Sequence, residues 1–311
     1  MSLSAKSLIT SLSLSLLSAL PSLVSAHGHV TNIKIQGQEF PGFPSDNPYG
    51  APYSTIAWSV NVPDNTFVRE YSNPDIICHK QAVPGTSSAT VEAGGSVEFQ
   101  WTAWPTHQGP VVDYMAECPG KCEDVDKTQL KWFKVAEQGL ISTTGCNVKG
   151  NTGCWALDKL IQAGNKWSVQ VPAGLKAGNY VMRHEVINLD FPGQSQNYPA
   201  CINLVVTGGG SSVPDGVVGT SLYTGQEEGL NFIIYDMKSD ATYPIPGPPV
   251  ATMDGGSGDT YGSDIAPVDD GSGDTYGSDV AASVGDDTTS AGAVSECSSG
   301  KLKVRARKWV A

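Results

Sequence analysis

The chain holds five histidines: His27, His29, His79, His107 and His184. His27 opens the stretch His27-Gly28-His29 directly after Val24-Ser25-Ala26. Small residues at −3 and −1 suit a signal peptidase, and the preceding run has a lone cation, Lys6, and an apolar, serine-rich core. That run is too short and too rich in serine to span a bilayer. Cleavage after Ala26 is therefore expected, and it makes His27 a first residue with a free α-amine. The amine and imidazole Nδ1 of one histidine close a six-membered chelate ring on a metal ion. The ordinary amine pKa of about 7.7–8 lets a metal displace its proton near neutral pH. A second histidine would complete three nitrogens in a T, a tetragonal set that suits Cu(II) above other first-row metals. The expected partner is His107 in WPTHQGPVVDYMAEC (104–118), where Gly109-Pro110 fixes the turn after it. Gln196 and Tyr198 are two apart, so on an extended segment they face the same way, and His184 lies just upstream.

Those residues need a frame. The 35 glycines and 20 prolines, with few long helical patterns, point to an all-β chain rich in turns. Strands are expected at 29–36, 55–60, 96–104, 166–172, 180–188 and 201–208, where apolar and β-branched residues dominate. In 96–104, alternation puts Val97, Phe99, Trp101 and Ala103 on one face. One short helix is expected at 154–164, ending at Gly164. This spacing fits a sandwich of antiparallel sheets over 27–250. The segments 45–59 and 208–249 alternate too little for strands and read as long surface loops, which are usually functional. After Val250 the composition changes. Residues 251–300 carry ten acids and no Lys or Arg, and GSGDTYGSD occurs at 256–264 and again at 271–279. Such a segment buries too little surface to order itself, so 251–311 reads as an acidic repeat tail with a basic end, KLKVRARKWVA. The net charge of −12 argues against nucleic acid as a partner, and no other stretch is apolar enough to cross a membrane. No N-glycosylation sequon occurs.

HGHV after a signal-like leader, HQGPVVDYMA, NYVMRHEV, QNYPACINLVVTG and YPIPGP together resemble the lytic polysaccharide monooxygenases of Auxiliary Activity family 9, formerly glycoside hydrolase family 61. The resemblance runs from His27 to about Pro249. It implies a secreted, monomeric enzyme with an immunoglobulin-like β-sandwich whose long loops form a flat face. There the amine and Nδ1 of His27 and Nε2 of His107 would hold one copper ion, with Tyr198 axial and Gln196 and His184 beside it. It also implies oxidation of cellulose or another β-1,4-glucan at C1 and/or C4, using O2 or H2O2 and an external electron donor, a small reductant or a partner dehydrogenase. The loop 185–195 is shorter than is common in that family, which leaves the ligands intact but alters the local surface. A Cys78–Cys201 disulfide is implied by the same likeness.

The remaining residues have plainer readings. His29 is expected to pack rather than ligate, and His79 to lie in a loop or at the surface. Cys118 and Cys122 in CPGKC fit a loop-closing bridge, with a metal site as the rival; an exported chain favours the disulfide. Cys146 and Cys154 would then pair, leaving Cys297 free or intermolecular. Tyr49, Tyr53, Tyr223 and Tyr235 in the long loops are candidates for stacking on sugar rings. Two rival functions stand: a copper-binding cell-wall protein without turnover, and a glycoside hydrolase, for which Asp113, Glu117 and Glu185 are carboxylates without a telling spacing.

Overall fold

The computed structural model describes residues 27–42, 55–61, 66–104, 106–146 and 150–253. The expected leader 1–26, Tyr49, Tyr53, Cys297 and the tail from 254 onward lie outside the described residues. In chain order the elements are β1 (Val30–Ile35), β2 (Gln38–Pro41), α1 (Asp75–Cys78), β3 (Ala89–Glu92), β4 (Ser96–Trp101) and β5 (Val111–Glu117). There follow β6 (Lys131–Gln138), β7 (Leu140–Ser142), β8 (Cys154–Trp155), α2 (Ala156–Gln162), β9 (Lys166–Gln170), β10 (Gly178–Asn188), β11 (Gln196–Thr207) and β12 (Val217–Val218).

Two sheets make the sandwich. The smaller has the order β2-β1-β4-β9 and the larger β12-β6-β5-β10-β11-β3. Neighbours are antiparallel except β11 and β3, which run parallel. The smaller sheet reads as alternation: β4 and β9 bury every second residue, with Val97, Phe99, Trp101, Trp167 and Val169 turned inward. The expected strand at 166–172 and the helix at 154–164 stand at β9 and α2, each a few residues shorter.

The larger sheet hid part of itself from pattern reading. β5 is buried along almost its whole length because both faces are covered, and a strand covered on both faces loses its period of two. One face meets the smaller sheet. The other lies under α1 and the segment 219–245, which buries Leu222, Tyr223, Leu230 and Ile234 against Val112, Tyr114, Trp132 and Val181. The segment 208–249 is thus a second wall of the core, with one two-residue strand and three single-turn 3-10 helices. Residues 55–60 form no strand. They make isolated pairings instead, Ala57 with Ile202 of β11 and Ser59 with Val83 in the loop before β3. β11 begins at Gln196, not at Cys201. Pro199 argues against a central strand, but on this side β11 receives only the isolated pairings of Val68 to Asn197 and Ala57 to Ile202, so its missing N–H costs no ladder bond.

Disulfides join Cys78 to Cys201, Cys118 to Cys122 and Cys146 to Cys154. The first ties the end of α1 to β11, three residues from Tyr198. Beside it lies a buried ion pair. Arg183 places two nitrogens on Glu185 at 2.7 and 2.8 Å and two on the carbonyls of Ile76 and Ile77 at 2.9 and 2.6 Å. Asn197 and Tyr223 donate to the same carboxylate. Breaking one partner of such a pair strands a buried charge. Glu185→Ala should cost about 3–5 kcal/mol of stability, seen as a lower urea midpoint at unchanged slope; an unmoved midpoint would show the network to be dispensable.

Candidate metal centre

The site forms at the edge where β1, β4, β5, β10 and β11 end together. His27 lies just before β1. The His29 backbone donates to Thr102 Oγ1 at 3.1 Å and accepts from Thr102 N at 3.0 Å, carrying the β1–β4 pairing to the chain's first described residues. Gly28 lies flat on the Trp104 indole: a Cβ there would meet Trp104 and Thr102 atoms at 2.9 Å. The glycine between the two histidines is what lets the segment settle on the tryptophan and present His27.

His107 is held by pairing that continues beyond β5. Ile187 N–H donates to Pro110 O at 3.1 Å and Leu189 N–H to Gln108 O at 2.8 Å. A side chain at Gly109 would strike the Ile187 carbonyl, so only glycine allows this approach. Tyr198 comes from β11, opposite Val186.

These elements bring three rings together. The His27 centroid lies 6.3 Å from that of His107 and 5.9 Å from that of Tyr198. Trp104 stands edge-on to Tyr198 at 4.9 Å and to His107 at 5.9 Å, forming the floor. Phe67 flanks His27 at 5.7 Å, with the Arg69 guanidinium 5.0 Å above its ring. Tyr198 donates its hydroxyl to Gln196 Oε1 at 2.9 Å, and Asn188 Nδ2 donates to the same oxygen at 3.1 Å. Burial, reinforced by the Asp190 carboxylate, raises the Tyr198 pKa far above a free phenol's, so it stays protonated.

The donor set fits a metal. An imidazole nitrogen lies about 1 Å from its ring centroid and binds a first-row ion at about 2 Å, so two rings on opposite sides of one ion have centroids roughly 6 Å apart. The His27–His107 spacing of 6.3 Å meets that requirement.

His184 is a correction. Its ring is stacked on Phe99 at 4.3 Å, it accepts from Trp101 Nε1 at 3.0 Å, and it donates through Nδ1 to Asp113 at 2.7 Å. Both ring nitrogens are engaged and the residue is fully buried. The register explains the difference. His184 pairs with Ala200 whereas Tyr198 pairs with Val186, so His184 lies about 7 Å deeper along the strand. It braces Trp101 behind the site instead of facing it. Tyr223 is a second correction: it is 3 % exposed and bonded to Tyr114 and Glu185, so it cannot stack on a ligand. His79, expected in a loop or at the surface, is buried after α1, with Lys80 N donating to its Nδ1 at 2.9 Å. His29 is part-buried at the start of β1, as expected for a packing residue. Tyr235 is 58 % exposed and close enough to Asp190 to feel its charge. Phe191, 49 % exposed, follows Asp190 directly.

Sequence reading missed Asp190, Asn188 and Trp104. Asp190 Oδ2 lies 2.5 Å from His107 Nδ1. Parity offered a signal: residues 186, 188 and 190 continue the face of β10 that meets Gln196 and Tyr198. The carboxylates weighed for hydrolysis are engaged elsewhere. Asp113 and Glu185 are fully buried against His184 and Arg183, and Glu117 pairs with Lys176 at 3.1 Å.

Among known proteins, the family model of Auxiliary Activity family 9 (formerly GH61) matches residues 27–243. The chain is 48 % identical to lytic polysaccharide monooxygenase A of Thermoascus aurantiacus over 234 residues, covering 73 % of this chain and all of that one. It is 47 % identical to monooxygenase E of Aspergillus tamarii, over 77 % of this chain and 96 % of the relative. The solved extended catalytic domain of the H. jecorina enzyme LPMO9A superposes with a TM-score of 0.66 at 41 % identity, over 76 % of this chain and 97 % of that one. A cellulose-active polysaccharide monooxygenase from M. thermophila does so at 0.63 and 30 %, over 73 % and 100 %. A β-sandwich with two histidines and a tyrosine gathered at one edge, matched over this span, places the chain in Auxiliary Activity family 9, the lytic polysaccharide monooxygenases, which cleave polysaccharides oxidatively.

Proposed function

We propose that the chain is secreted, that removal of residues 1–26 leaves His27 first, and that the mature protein oxidises cellulose or a related β-1,4-glucan with one copper ion. The observation that carries this is the His27–His107 spacing of 6.3 Å, joined to a family match that begins at His27 itself. The amine and Nδ1 of His27 and Nε2 of His107 would hold the ion, with the Tyr198 hydroxyl as a further weak donor. Three nitrogens in a tetragonal set favour copper. The bound ion would supply redox chemistry between Cu(I) and Cu(II) with O2 or H2O2, fed by an external reductant, for hydrogen abstraction at C1 and/or C4. The donor would be a small phenol-like molecule or a partner dehydrogenase.

The protein's own groups do the rest. Tyr198 stays a neutral phenol, since burial disfavours its anion, and so offers only a weak ligand. The Gln196 carbonyl is taken by Tyr198 and Asn188, which leaves its amide nitrogen to donate to the oxidant. Tyr235 and Phe191 offer exposed rings near the centre for stacking on glucan, and Arg69, bonded to Gln194 at 2.8 and 3.1 Å, locks the two loops that carry Phe67 and Phe191. Residues 27–250 would form the catalytic domain, working as a monomer on the polysaccharide surface, with 251–311 a separate acidic tail. Among the described residues no helix is long and apolar enough to cross a membrane.

Secreted protein, loaded with copper and given cellulose and ascorbate, should begin at His27 by N-terminal sequencing and release aldonic acids or 4-ketoaldoses in mass spectra. Native reducing ends formed without reductant would instead mean hydrolysis, and copper binding without any products would mean a non-catalytic role. Gln196→Ala should lower the rate of oxidised-sugar release by roughly a hundredfold while copper affinity holds; undiminished release would remove Gln196 from the chemistry. Tyr235→Ala should weaken pull-down on cellulose several-fold, with copper loading unaltered; equal retention would leave Tyr235 outside the glucan surface.

A further inference from the structure

We propose that Asp190 is a positioning residue for the metal centre: it fixes the ring plane and tautomer of His107 and ties that ring to Tyr198. The inference rests on the copper reading above. The Asp190 carboxylate has two jobs. Oδ2 takes His107 Nδ1 at 2.5 Å, and Oδ1 accepts the backbone N–H of Gln108 at 3.2 Å. It therefore holds the ring and the backbone of the neighbouring residue at once. Asp190 is itself held, because its N–H donates to Asn188 Oδ1 at 2.9 Å while Leu189 N–H donates to Gln108 O at 2.8 Å. Both side chains of the pair are mostly buried, 13 and 15 % exposed, so water competes poorly for the contact.

Two consequences follow for His107. A proton kept on Nδ1 by the carboxylate leaves the Nε2 lone pair as the ligand, and the anion behind the ring makes that nitrogen a stronger donor. From Asp190 the contacts continue through Asn188 Nδ2 to Gln196 Oε1, 3.1 Å away, where the Tyr198 hydroxyl also arrives at 2.9 Å. One line of hydrogen bonds thus runs His107–Asp190–Asn188–Gln196–Tyr198, coupling the His107 ring to the Tyr198 hydroxyl. A shift of the 189–195 loop would reach both ligands through Asp190.

The test compares full-length secreted parent, Asp190→Ala, Asp190→Asn and Asp190→Glu, each with its first residue verified. Cu(II) affinity is measured by competition titration, geometry by electron paramagnetic resonance, and apo-protein melting as a control on folding. Loss of the carboxylate from Asp190→Ala should weaken copper binding about 10–100-fold and shift the parallel hyperfine splitting. Asp190→Asn should fall between, and Asp190→Glu should recover part of the affinity. Affinity within twofold of the parent and a superimposable spectrum for both Asp190→Ala and Asp190→Asn would overturn the proposal while leaving the copper reading intact. A parent that shows no type 2 copper signal would overturn the copper reading first, and this inference with it.

Discussion

The site depends on two backbone hydrogen bonds that lie beyond the end of β5. Ile187 N–H to Pro110 O and Leu189 N–H to Gln108 O carry the β5–β10 pairing past Val111 and set His107 opposite Asp190. Without them His107 would sit on a free loop, and no side-chain contact alone would place a ring within the tolerance a metal demands. Gly109 makes them possible, because the Ile187 carbonyl occupies the space where any Cβ would stand. The same register puts Tyr198 opposite Val186 and Gln196 opposite Asn188. One pairing frame therefore positions His107, Asp190, Asn188, Gln196 and Tyr198, while β1 delivers His27 from the other sheet. A metal held by His27 and His107 would therefore join the two sheets at this edge.

What lies beneath is rigid for separate reasons. Trp104 receives Gly28 on its face and touches both His107 and Tyr198. Trp101 packs behind Trp104 at 5.3 Å and is fixed through its N–H by His184, which is fixed in turn by Asp113 and Phe99. On the other face of β10, Arg183 and Glu185 anchor α1 and the 219–245 wall. Odd and even residues of one strand thus carry different duties, with structural charge turned outward and the site's support turned inward.

Much of this was legible in the sequence, and the failures share a cause. The alternating strands of the smaller sheet and the pairing of His27 with His107 follow from local pattern and donor chemistry. Gln196 and Tyr198 follow from their spacing of two. β5 and β6 did not announce themselves because a strand covered on both faces has no polar beat, and the cover comes from a segment a hundred residues later that reads as loop. His184 was misplaced because a histidine beside a functional strand end looks the same one pair deeper. Only the register, His184 to Ala200, separates the two positions. Asp190 was missed because its meaning depends on a partner more than eighty residues away in the chain. Tyr223 looked like a surface aromatic for the reason β5 went unread as a strand: the outer wall is invisible until it is folded.

The same geometry separates oxidation from hydrolysis without appeal to resemblance. A glycosidase needs two carboxyl groups facing one bond, roughly 5–10 Å apart, with one of them free to exchange a proton. Here Asp113 and Glu185 are sealed in the core, and each is committed to a cation or an imidazole whose loss would strand a buried polar group. Glu117 sits at the far end of β5 from His107, beside Lys176. The one carboxylate at the ring cluster, Asp190, is spent on His107 and the Gln108 backbone, and Asp158, which feels its charge, is taken by Asn151 and the Trp155 backbone. What gathers at this edge is nitrogen and phenol, a set that binds a metal far better than it shuttles protons to a leaving sugar.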